Sequence, residues 1–472
     1  MTTTNQTGEE MLAINGGAKA FFQQHGPRRP KIGMDEFISI AERFGFSDEA
    51  LKRIRSTVSD DDLGEGPTLS RFLTAVPSQT KGEAFEQKAR EIFGSKYALP
   101  TSSGTGALHS ALIGVGVGPG SEVIVPAIGF FATAATVVAA KGVPVFCDVD
   151  ESLCIDPKKI EACITPRTAA VAPTCVMGAV PDMDPIMEVA RKHNLKVIED
   201  CAQAPGAKYK GRYAGTIGDV GCFSISSYKI VGGGEGGLLI TDDERLFERA
   251  GLLAECGGLT RPDRFAPPRY PGELFCGTNY RMSELEAAVD VVQIQKMSAL
   301  VEQYNTIRNG VLSQLKNYKE IVPQKLNDPE GGGAGYMIRF FPQTAELGQK
   351  IAAALNAEGI GIGRFIWPSE CGIRGKDAPP DWHVYKNMFA VIQKMDSAET
   401  GCPFSCPIYR EKGGQIEYNE GDCPVADDLF DRNIQVWFDP GYDDQDCRNI
   451  AAGINKVLSA YCTEDPNGRN WI

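Results

Sequence analysis

The sequence predicts an α/β protein, with a large domain whose mostly parallel sheet is sandwiched by helices and a smaller α/β domain at the C-terminal end. Between about residues 83 and 297, short apolar stretches alternate with amphipathic stretches of roughly 10–15 residues. Such alternation is typical of parallel strands connected by helices on both faces of a sheet. A second, shorter alternation from about residue 313 to 465 predicts the smaller domain.

The elements of the first alternation follow one another regularly. A helical stretch, EAFEQKAREIFG, leads to the strand KYALPT, and next come the helix GTGALHSALIGVG and the strand EVIVPA. They are followed by the helix FFATAATVVAAKG, the strand PVFCDV, the helix PKKIEACI, the strand AAVAPTC, the helix DPIMEVARKHN and the strand KVIEDC. Residues 282–312 keep a helical period and are expected to bridge to the second domain. The strand-to-helix turns should share one edge of the sheet, where we expect the ligand site.

Three parts are predicted along the chain. Residues 1–60 mix Gly, Pro and charged residues around one helical stretch near 48–58, and we expect them to form an N-terminal arm. Residues 61–297 are expected to form the large domain, and residues 298–472 the small C-terminal domain. An irregular insert at about 364–423 is rich in Pro, Gly, Cys and aromatic residues.

The side chains of this insert leave two interpretations open. They either shape a substrate pocket or fill the core of the small domain, and they include Arg364, Phe365, Trp367, Trp382 and His383. Cys402 and Cys406 would suggest a metal or redox pair if a matching His or a second cysteine pair accompanied them. Without these, two ordinary thiols are the simpler interpretation.

Composition and charge restrict the class of function. Hydrophobic residues make up 42% of the 472 residues and charged residues 23%, which is ordinary for a globular enzyme. The formal net charge of −13 argues against a nucleic acid or an anionic membrane as partner. The N-terminus is polar and acidic, and no apolar run reaches the roughly 18 residues of a membrane span. We therefore expect a cytoplasmic protein whose 14 cysteines are reduced thiols.

The first candidate motif is TSSGTGALHSAL at residues 101–112, where a strand is expected to end and a helix to begin near Gly104. Hydroxyl groups and free backbone N–H groups at a helix N-terminus can bind an anion. Taken alone, the motif is explained better by an ordinary N-cap followed by a glycine that packs closely against a neighbour.

The second motif, VIEDCAQAPGA at residues 197–207, ends a predicted strand with Glu199 and Asp200. A carboxylate at the carboxyl end of a central parallel strand would face the ligand edge, where it can pair with a cation such as a pyridinium nitrogen. A helix cap and a metal ligand are the alternatives. We predict no metal site, because the chain has only four His and none lies in a two-His motif.

The third motif, GDVGCFSISSYKIVGGGEGGLLIT at residues 218–241, places Lys229 between a strand and a glycine-rich turn. A lysine there would be partly desolvated, which lowers its pKa and frees the amine for imine formation. Ser224 could donate a hydrogen bond to a phosphate. The glycines are interpreted as a turn, because no P-loop or dinucleotide fingerprint is present. In isolation Lys229 would be an ordinary solvated lysine.

Together and in this order, the motifs resemble the DegT/DnrJ/EryC1/StrS family of sugar aminotransferases, which depend on pyridoxal 5′-phosphate (PLP) and have the type I fold of PLP enzymes. The resemblance covers about residues 80–310 and resumes near the C-terminus. The family pattern is SGT-x-AL, P-x-x-TF-x-AT, ED-x-A-Q-x-x-G, FS-x-x-x-x-K with GEGG, and N-Y-R. The matching positions are Ser103-Gly104-Thr105, Pro126, Phe130, Ala132-Thr133, Glu199-Asp200, Gln203, Phe223-Ser224, Lys229 and Asn279-Tyr280-Arg281.

The resemblance implies catalytic and ring-binding roles for four positions. Lys229 matches the lysine that holds PLP as a Schiff base, and Asp200 matches the partner of the pyridine nitrogen. Gln203 matches the residue near the phenolic oxygen of the cofactor. Phe130 matches the aromatic residue that stacks on the ring.

The resemblance also implies how the phosphate of PLP is held. Gly104, Thr105 and Ser224 match phosphate-holding positions of the family. Asn279 matches an asparagine that reaches the phosphate from the neighbouring subunit. The expected assembly is therefore a homodimer with shared active sites.

The implied function is amino transfer from glutamate or glutamine to a keto-sugar or keto-cyclitol. Dehydratase relatives of this fold replace the lysine with histidine, so Lys229 favours a transaminase. A PLP-dependent dehydratase-like enzyme and a non-catalytic regulatory protein that retains the fold are the alternatives. The chain departs from the family pattern at Gly129, where Thr is usual, and at Pro205, where His is frequent.

Overall fold

The computed structural model describes residues 12–15, 18–19, 32–63, 69, 79–258, 266–363, 382–396 and 400–471. The chain divides into two compact units, Met1–Val76 and Pro77–Ile472. In the first unit, helix α1 (Met34–Arg43) packs on helix α2 (Asp48–Thr57) through a small apolar cluster that includes Ile38 and Leu51. Helix α2 was predicted from the sequence, whereas α1 was not.

The second unit contains a seven-stranded sheet. The part of the chain that forms this sheet contains nine strands, of which seven belong to the sheet and two form a separate hairpin. They are β1 (Tyr97–Thr101), β2 (Glu122–Pro126), β3 (Val143–Cys147), β4 (Thr168–Val171), β5 (Lys196–Asp200), β6 (Lys208–Tyr209), β7 (Arg212–Tyr213), β8 (Val220–Ser224) and β9 (Gly237–Thr241). The order in the large sheet is β1-β9-β8-β5-β4-β2-β3, and β6 pairs with β7 in a separate hairpin. Strand β9 runs antiparallel to both of its neighbours, while the other pairs are parallel. The predicted mostly parallel sheet is confirmed.

Helices cover both faces of this sheet. They are α3 (Lys81–Phe93), α4 (Gly104–Gly114), α5 (Ala132–Ala139), α6 (Pro157–Ile160), α7 (Met183–His193) and α8 (Glu244–Ala254). Apolar side chains of α3 and α7 join one buried cluster, and those of α4, α5 and α8 join another. The two clusters lie on opposite faces, because Ile124 of β2 belongs to the first while its neighbours Val123 and Val125 belong to the second.

A smaller α/β region follows. Its elements are α9 (Glu284–Leu312), β10 (Ile321–Pro323), β11 (Met337–Pro342), α10 (Ala345–Ala357), β12 (Ile362–Gly363), α11 (Phe389–Ile392), α12 (Pro407–Glu411), α13 (Pro424–Arg432), β13 (Ile434–Trp437) and α14 (Asp444–Tyr461). Four strands form an antiparallel sheet in the order β10-β11-β13-β12. Helices α10 and α14 and the end of α9 bury their apolar faces against it. Helix α9 begins where Ser283 Oγ accepts a hydrogen bond from the Glu286 N–H at 3.1 Å.

The described part of the irregular segment packs on the large sheet's helices. Met388, Val391 and Phe404 belong to the same buried cluster as α4 and α5. Tyr409 donates a hydrogen bond of 2.9 Å to the buried Glu122 of β2, whose carboxylate also pairs with Arg167 at 2.8 Å. These contacts fix the segment beside strand β2. The division into residues 1–60, 61–297 and 298–472 stays a prediction.

Replacing Tyr409 with phenylalanine should destabilise the protein, because it removes a donor from a buried carboxylate. We expect the free energy of unfolding to fall by about 1–3 kcal/mol in urea titrations. The control is Tyr461→Phe, since Tyr461 is 47% exposed and its replacement should change stability by less than about 0.5 kcal/mol. Equal stabilities for the two variants would contradict the anchoring role of Tyr409.

Candidate cofactor site

A cavity opens at the carboxyl edge of the large sheet, where the sequence predicts a ligand site. Seven of the predicted site residues line this cavity, namely Gly104, Thr105, Phe130, Asp200, Gln203, Ser224 and Lys229. They come from the start of α4, the turn before α5, the end of β5 and the turn after β8. The sheet therefore brings together residues that lie far apart in sequence.

One wall of the cavity is suited to an anion. Ser103 caps α4, its Oγ accepting a hydrogen bond of 3.0 Å from the Gly106 N–H. A Cβ atom on Gly104 would lie 2.8 Å from the Cβ of Ser224, so only glycine allows the helix to start this close to β8. Thr105 lines the same wall. The hydroxyls and the first N–H groups of the helix form a cradle that fits a phosphate group.

Gly104→Ala should weaken the retention of PLP, because the added Cβ would force the start of α4 away from Ser224. We expect the Kd for PLP to rise by at least about tenfold, measured by equilibrium dialysis of the cofactor-free protein. Gly251→Ala in α8 is the matched control, since a Cβ there has no atom within 4 Å. An unchanged Kd for Gly104→Ala would rule out the cradle as the phosphate site.

Asp200, the last residue of β5, places a buried carboxylate in the cavity. It is 2% exposed. Its Oδ2 accepts a hydrogen bond of 2.6 Å from Thr133 Oγ1, and its Oδ1 accepts one of 3.1 Å from the Ala202 N–H. Burial raises the pKa of Asp200, while these two donors and the charge of Lys229 oppose the rise. A cationic ring nitrogen in the cavity would satisfy this carboxylate.

Lys229 lies in the turn after β8. Its backbone N–H donates to Ser226 O at 2.9 Å, and its ammonium lies 4.9 Å from the centroid of the Tyr228 ring. Burial lowers the pKa of Lys229, and the nearby charge of Asp200 acts in the opposite direction. The lowered pKa increases the fraction of free amine, which is the nucleophilic form.

Gln203 and Phe130 complete the surroundings of a flat ring. The Met177 N–H donates to Gln203 Oε1 at 2.9 Å, which leaves the amide NH₂ as the group that can donate into the cavity. Phe130 is 44% exposed, and its ring packs against that of His383 with centroids 5.4 Å apart. An exposed aromatic ring at the wall of a cavity is suited to stacking.

Several residues of the site were not predicted from the sequence. Ser226, Tyr228 and Glu235 also line the cavity, and Thr133 holds Asp200. Ser226 and Tyr228 occupy variable positions within FS-x-x-x-x-K, and Thr133 lies within another matched motif. The motifs therefore contained these residues but did not indicate their roles.

Other predicted residues lie elsewhere. Asn279 is exposed, and its Oδ1 accepts a hydrogen bond of 3.2 Å from the Arg281 N–H. Trp382 is 49% exposed and packs against Phe131 with ring centroids 5.6 Å apart. The predicted positions Arg364, Phe365 and Trp367 lie outside the described residues.

Neither a metal cluster nor a membrane-spanning helix is present among the residues that the structure describes. Within those ranges, no group of three or more His, Cys, Asp or Glu side chains is arranged to hold a metal ion. Among the helices so described, none combines the length and the apolar character that crossing a membrane requires.

The donor set fits PLP. The cradle at Gly104 suits a phosphate, the buried Asp200 suits a cationic pyridine nitrogen, and Lys229 is an amine within the same cavity. Phe130 offers a stacking surface. We therefore regard these residues as the group that could hold this cofactor.

Comparisons with known proteins agree with this geometry. A family model described as the DegT/DnrJ/EryC1/StrS aminotransferase family matches residues 75–371. GDP-perosamine synthase of Caulobacter vibrioides is 36% identical over 269 residues, which cover 57% of this chain and 69% of that protein. L-glutamine:2-deoxy-scyllo-inosose aminotransferase of Micromonospora echinospora is 39% identical over 262 residues, 53% of this chain and 60% of that protein. The match thus covers less than two thirds of the length of the inosose aminotransferase.

Solved structures extend the likeness to most of the chain. The X-ray structure of the aminotransferase from Psychrobacter cryohalolentis aligns with a TM-score of 0.64 and 26% identity. The alignment covers 84% of this chain and all of that one, at 100%. The likeness therefore includes the smaller α/β region as well.

Proposed function

Because the chain belongs to the DegT/DnrJ/EryC1/StrS aminotransferase family, we propose that it transfers an amino group from an amino acid to a keto-sugar or keto-cyclitol. The resemblance seen in the sequence, the type I fold and PLP as the family's cofactor are confirmed. The observation that carries the proposal is the cavity in which Lys229, Asp200 and the Gly104 cradle meet.

The residues of this chain suit the two half-reactions. When bound, PLP supplies an electron sink that makes the substrate carbon acidic and carries the amino group between donor and acceptor. The ε-amine of Lys229 would take a proton from the substrate carbon and deliver it to the cofactor carbon, and its lowered pKa increases the fraction of free amine that can do so. Asp200 would keep a proton on the ring nitrogen, and its own hydrogen bonds from Thr133 and Ala202 fix the carboxylate in place.

The remaining residues orient and enclose the site. Phe130 would cover one face of the ring and leave the other to Lys229. The start of α4, with Thr105 and Ser224, would hold the phosphate while bonds to Lys229 are exchanged. Gln203 would donate to the phenolic oxygen through its free NH₂ group.

We infer the donor and the acceptor from the names of the relatives. Related proteins from Micromonospora echinospora and Streptomyces fradiae are named L-glutamine:2-deoxy-scyllo-inosose aminotransferases. These names support L-glutamine as the donor and a keto-cyclitol as the acceptor. The perosamine synthase supports a keto-sugar instead. Asn279 supports the proposal of a homodimer with shared sites, because it is exposed and does not line the cavity of its own chain.

The proposal is tested by the donor half-reaction alone. Purified protein loaded with PLP is mixed with L-glutamine or L-glutamate, and the conversion of PLP to pyridoxamine 5′-phosphate is followed by absorbance and chromatography. We expect stoichiometric conversion with one of these donors. If neither they nor any other amino acid converts the bound cofactor, the protein is not an aminotransferase.

A further inference from the structure

Two acidic side chains face the glycine-rich loop that follows Lys229. Glu286 and Asp290 lie one turn apart on α9. Asp290 is 0% exposed, and neither of its oxygens, nor Oε1 of Glu286, accepts a hydrogen bond of normal geometry within the described part of the chain, although N–H groups of the loop lie nearby. Buried carboxyl oxygens without a donor are costly, so this pair needs an explanation.

The loop lies directly on the pair. A Cβ atom on Gly233 would lie 2.8 Å from Oδ1 of Asp290, and one on Gly236 would lie 2.9 Å from its Oδ2. A Cβ atom on Gly234 would lie 2.8 Å from Oε2 of Glu286. The absence of side chains at these three glycines lets the loop lie directly on the two carboxyl groups.

The same loop is tied to the turn that carries Lys229. The Ile225 N–H donates to Gly236 O at 2.8 Å, and the Ser227 N–H donates to Gly234 O at 2.9 Å. The Lys229 N–H in turn donates to Ser226 O. A shift of the loop away from α9 would therefore move the backbone on which Lys229 lies.

The surroundings of Asp290 and Glu286 determine whether their carboxyl groups are protonated. Burial and the charge of Glu286 raise the pKa of Asp290 from 3.8 to about 8, against the pull of the Gly233 N–H. Burial also raises the pKa of Glu286, and the charge of Glu235 on the loop adds to this rise. The backbone N–H groups of Glu235 and Gly234 act in the opposite direction. A Cβ atom on Gly233 would lie 2.8 Å from both Oδ1 of Asp290 and Oε1 of Glu286, so the two carboxyl groups are close neighbours. Two buried like charges in such a position do not both ionise at neutral pH.

We propose that Asp290 and Glu286 share one proton and in this form seat the glycine-rich loop, which makes Asp290 a positioning residue for Lys229. The role of Lys229 in this inference rests on the proposed function. Because the pKa of Asp290 is raised on folding, its contribution to stability is complete below about pH 4 and is lost as the pH rises through about 8. Above that pH the two carboxylates repel and the loop loosens.

The test uses Asp290→Asn, which keeps the shape and can donate to Glu286 but cannot ionise. Glu302→Gln on the exposed face of the same helix is the matched control. The thermal midpoint of the cofactor-free proteins is measured from about pH 5 to about pH 9, and the rate of PLP release from the loaded proteins over the same range. We expect wild type and Glu302→Gln to lose thermal stability progressively from about pH 5 to about pH 8 and to level off above it, whereas Asp290→Asn should change little. The release of PLP from wild type and Glu302→Gln should become at least about threefold faster as the pH passes 8, when the pair ionises in the folded protein.

Parallel pH profiles for wild type and Asp290→Asn would overturn the proposal. If Asp290→Asn fails to fold, infrared spectroscopy of the wild type decides: a protonated-carboxyl band at about pH 6 that disappears by about pH 9 supports a shared proton, and its absence at both overturns it. Glu286→Gln is the second variant and should lose the band at a lower pH, because the repelling charge is gone. Conversion of PLP by L-glutamine at neutral pH is measured separately, so its failure would count against the proposed function and not against the acid pair.

Discussion

Lys229→Ala is expected to lower the rate of amino transfer by at least about 10³-fold, because Lys229 is the only amine among the described residues that line the cavity. Lys229→Arg should be equally inactive, since a guanidinium stays protonated at neutral pH and cannot act as a base. Both half-reactions should be affected, because the same proton transfer is needed in each. The measurement is single-turnover conversion of PLP by L-glutamine.

The control for this prediction is Lys158→Ala, because Lys158 is exposed at the start of α6. It should retain wild-type rates. Circular dichroism and the oligomeric state should be the same for all variants, because Lys229 lies in a turn and not in a packed core. A Lys229→Ala variant within about tenfold of wild type would remove this residue from the mechanism.

Asp200→Asn is expected to lower kcat by about 10²- to 10³-fold while PLP still binds. The amide has nearly the same shape but no charge, so it no longer keeps a proton on the ring nitrogen. The loss should appear in kcat rather than in the KM for the donor, because the electrostatic effect is largest as charge develops on the reacting carbon. Steady-state kinetics with L-glutamine and a keto-cyclitol acceptor separate the two parameters.

Thr133→Val tests the support of Asp200 separately. It removes the 2.6 Å hydrogen bond to Oδ2 but leaves the charge, so we expect a smaller loss of about tenfold or less. Asp444→Asn, at the exposed start of α14, should have no effect on kcat. An Asp200→Asn enzyme as fast as Asp444→Asn would contradict the pairing of Asp200 with the ring nitrogen.

The fold class could be predicted because the alternation of apolar strands and amphipathic helices is local information. The order of the strands could not, since it depends on packing between distant segments. Strand β9 illustrates this: its apolar run predicts a strand, but nothing in it specifies that it runs antiparallel between β1 and β8. Helix α1 was missed because it stands among Gly, Pro and charged residues, although the Gly33 N–H at its start donates a hydrogen bond to the Glu36 carboxylate.

The sequence predicted those site residues that lie at matched motif positions. Lys229, Asp200 and Gln203 were identified through the motifs that resemble the family, and the structure brings them into one cavity. Their supports were not identified, because Thr133 and Met177 reach Asp200 and Gln203 only after the strands assemble. The burial of Asp290 could not be predicted from the sequence, because an acidic residue of an amphipathic helix is expected to face solvent. Only the structure shows that Asp290 is buried beneath three glycines of the loop.

A Schiff base between PLP and Lys229 can be trapped by reducing the purified, PLP-loaded protein with borohydride and locating the adduct by peptide mass spectrometry. We expect a single phosphopyridoxyl adduct, on the peptide that contains Lys229, and its loss after prior incubation with L-glutamine. An adduct on another lysine, or a protein that PLP loading leaves without any reducible adduct, would show that Lys229 does not hold the cofactor.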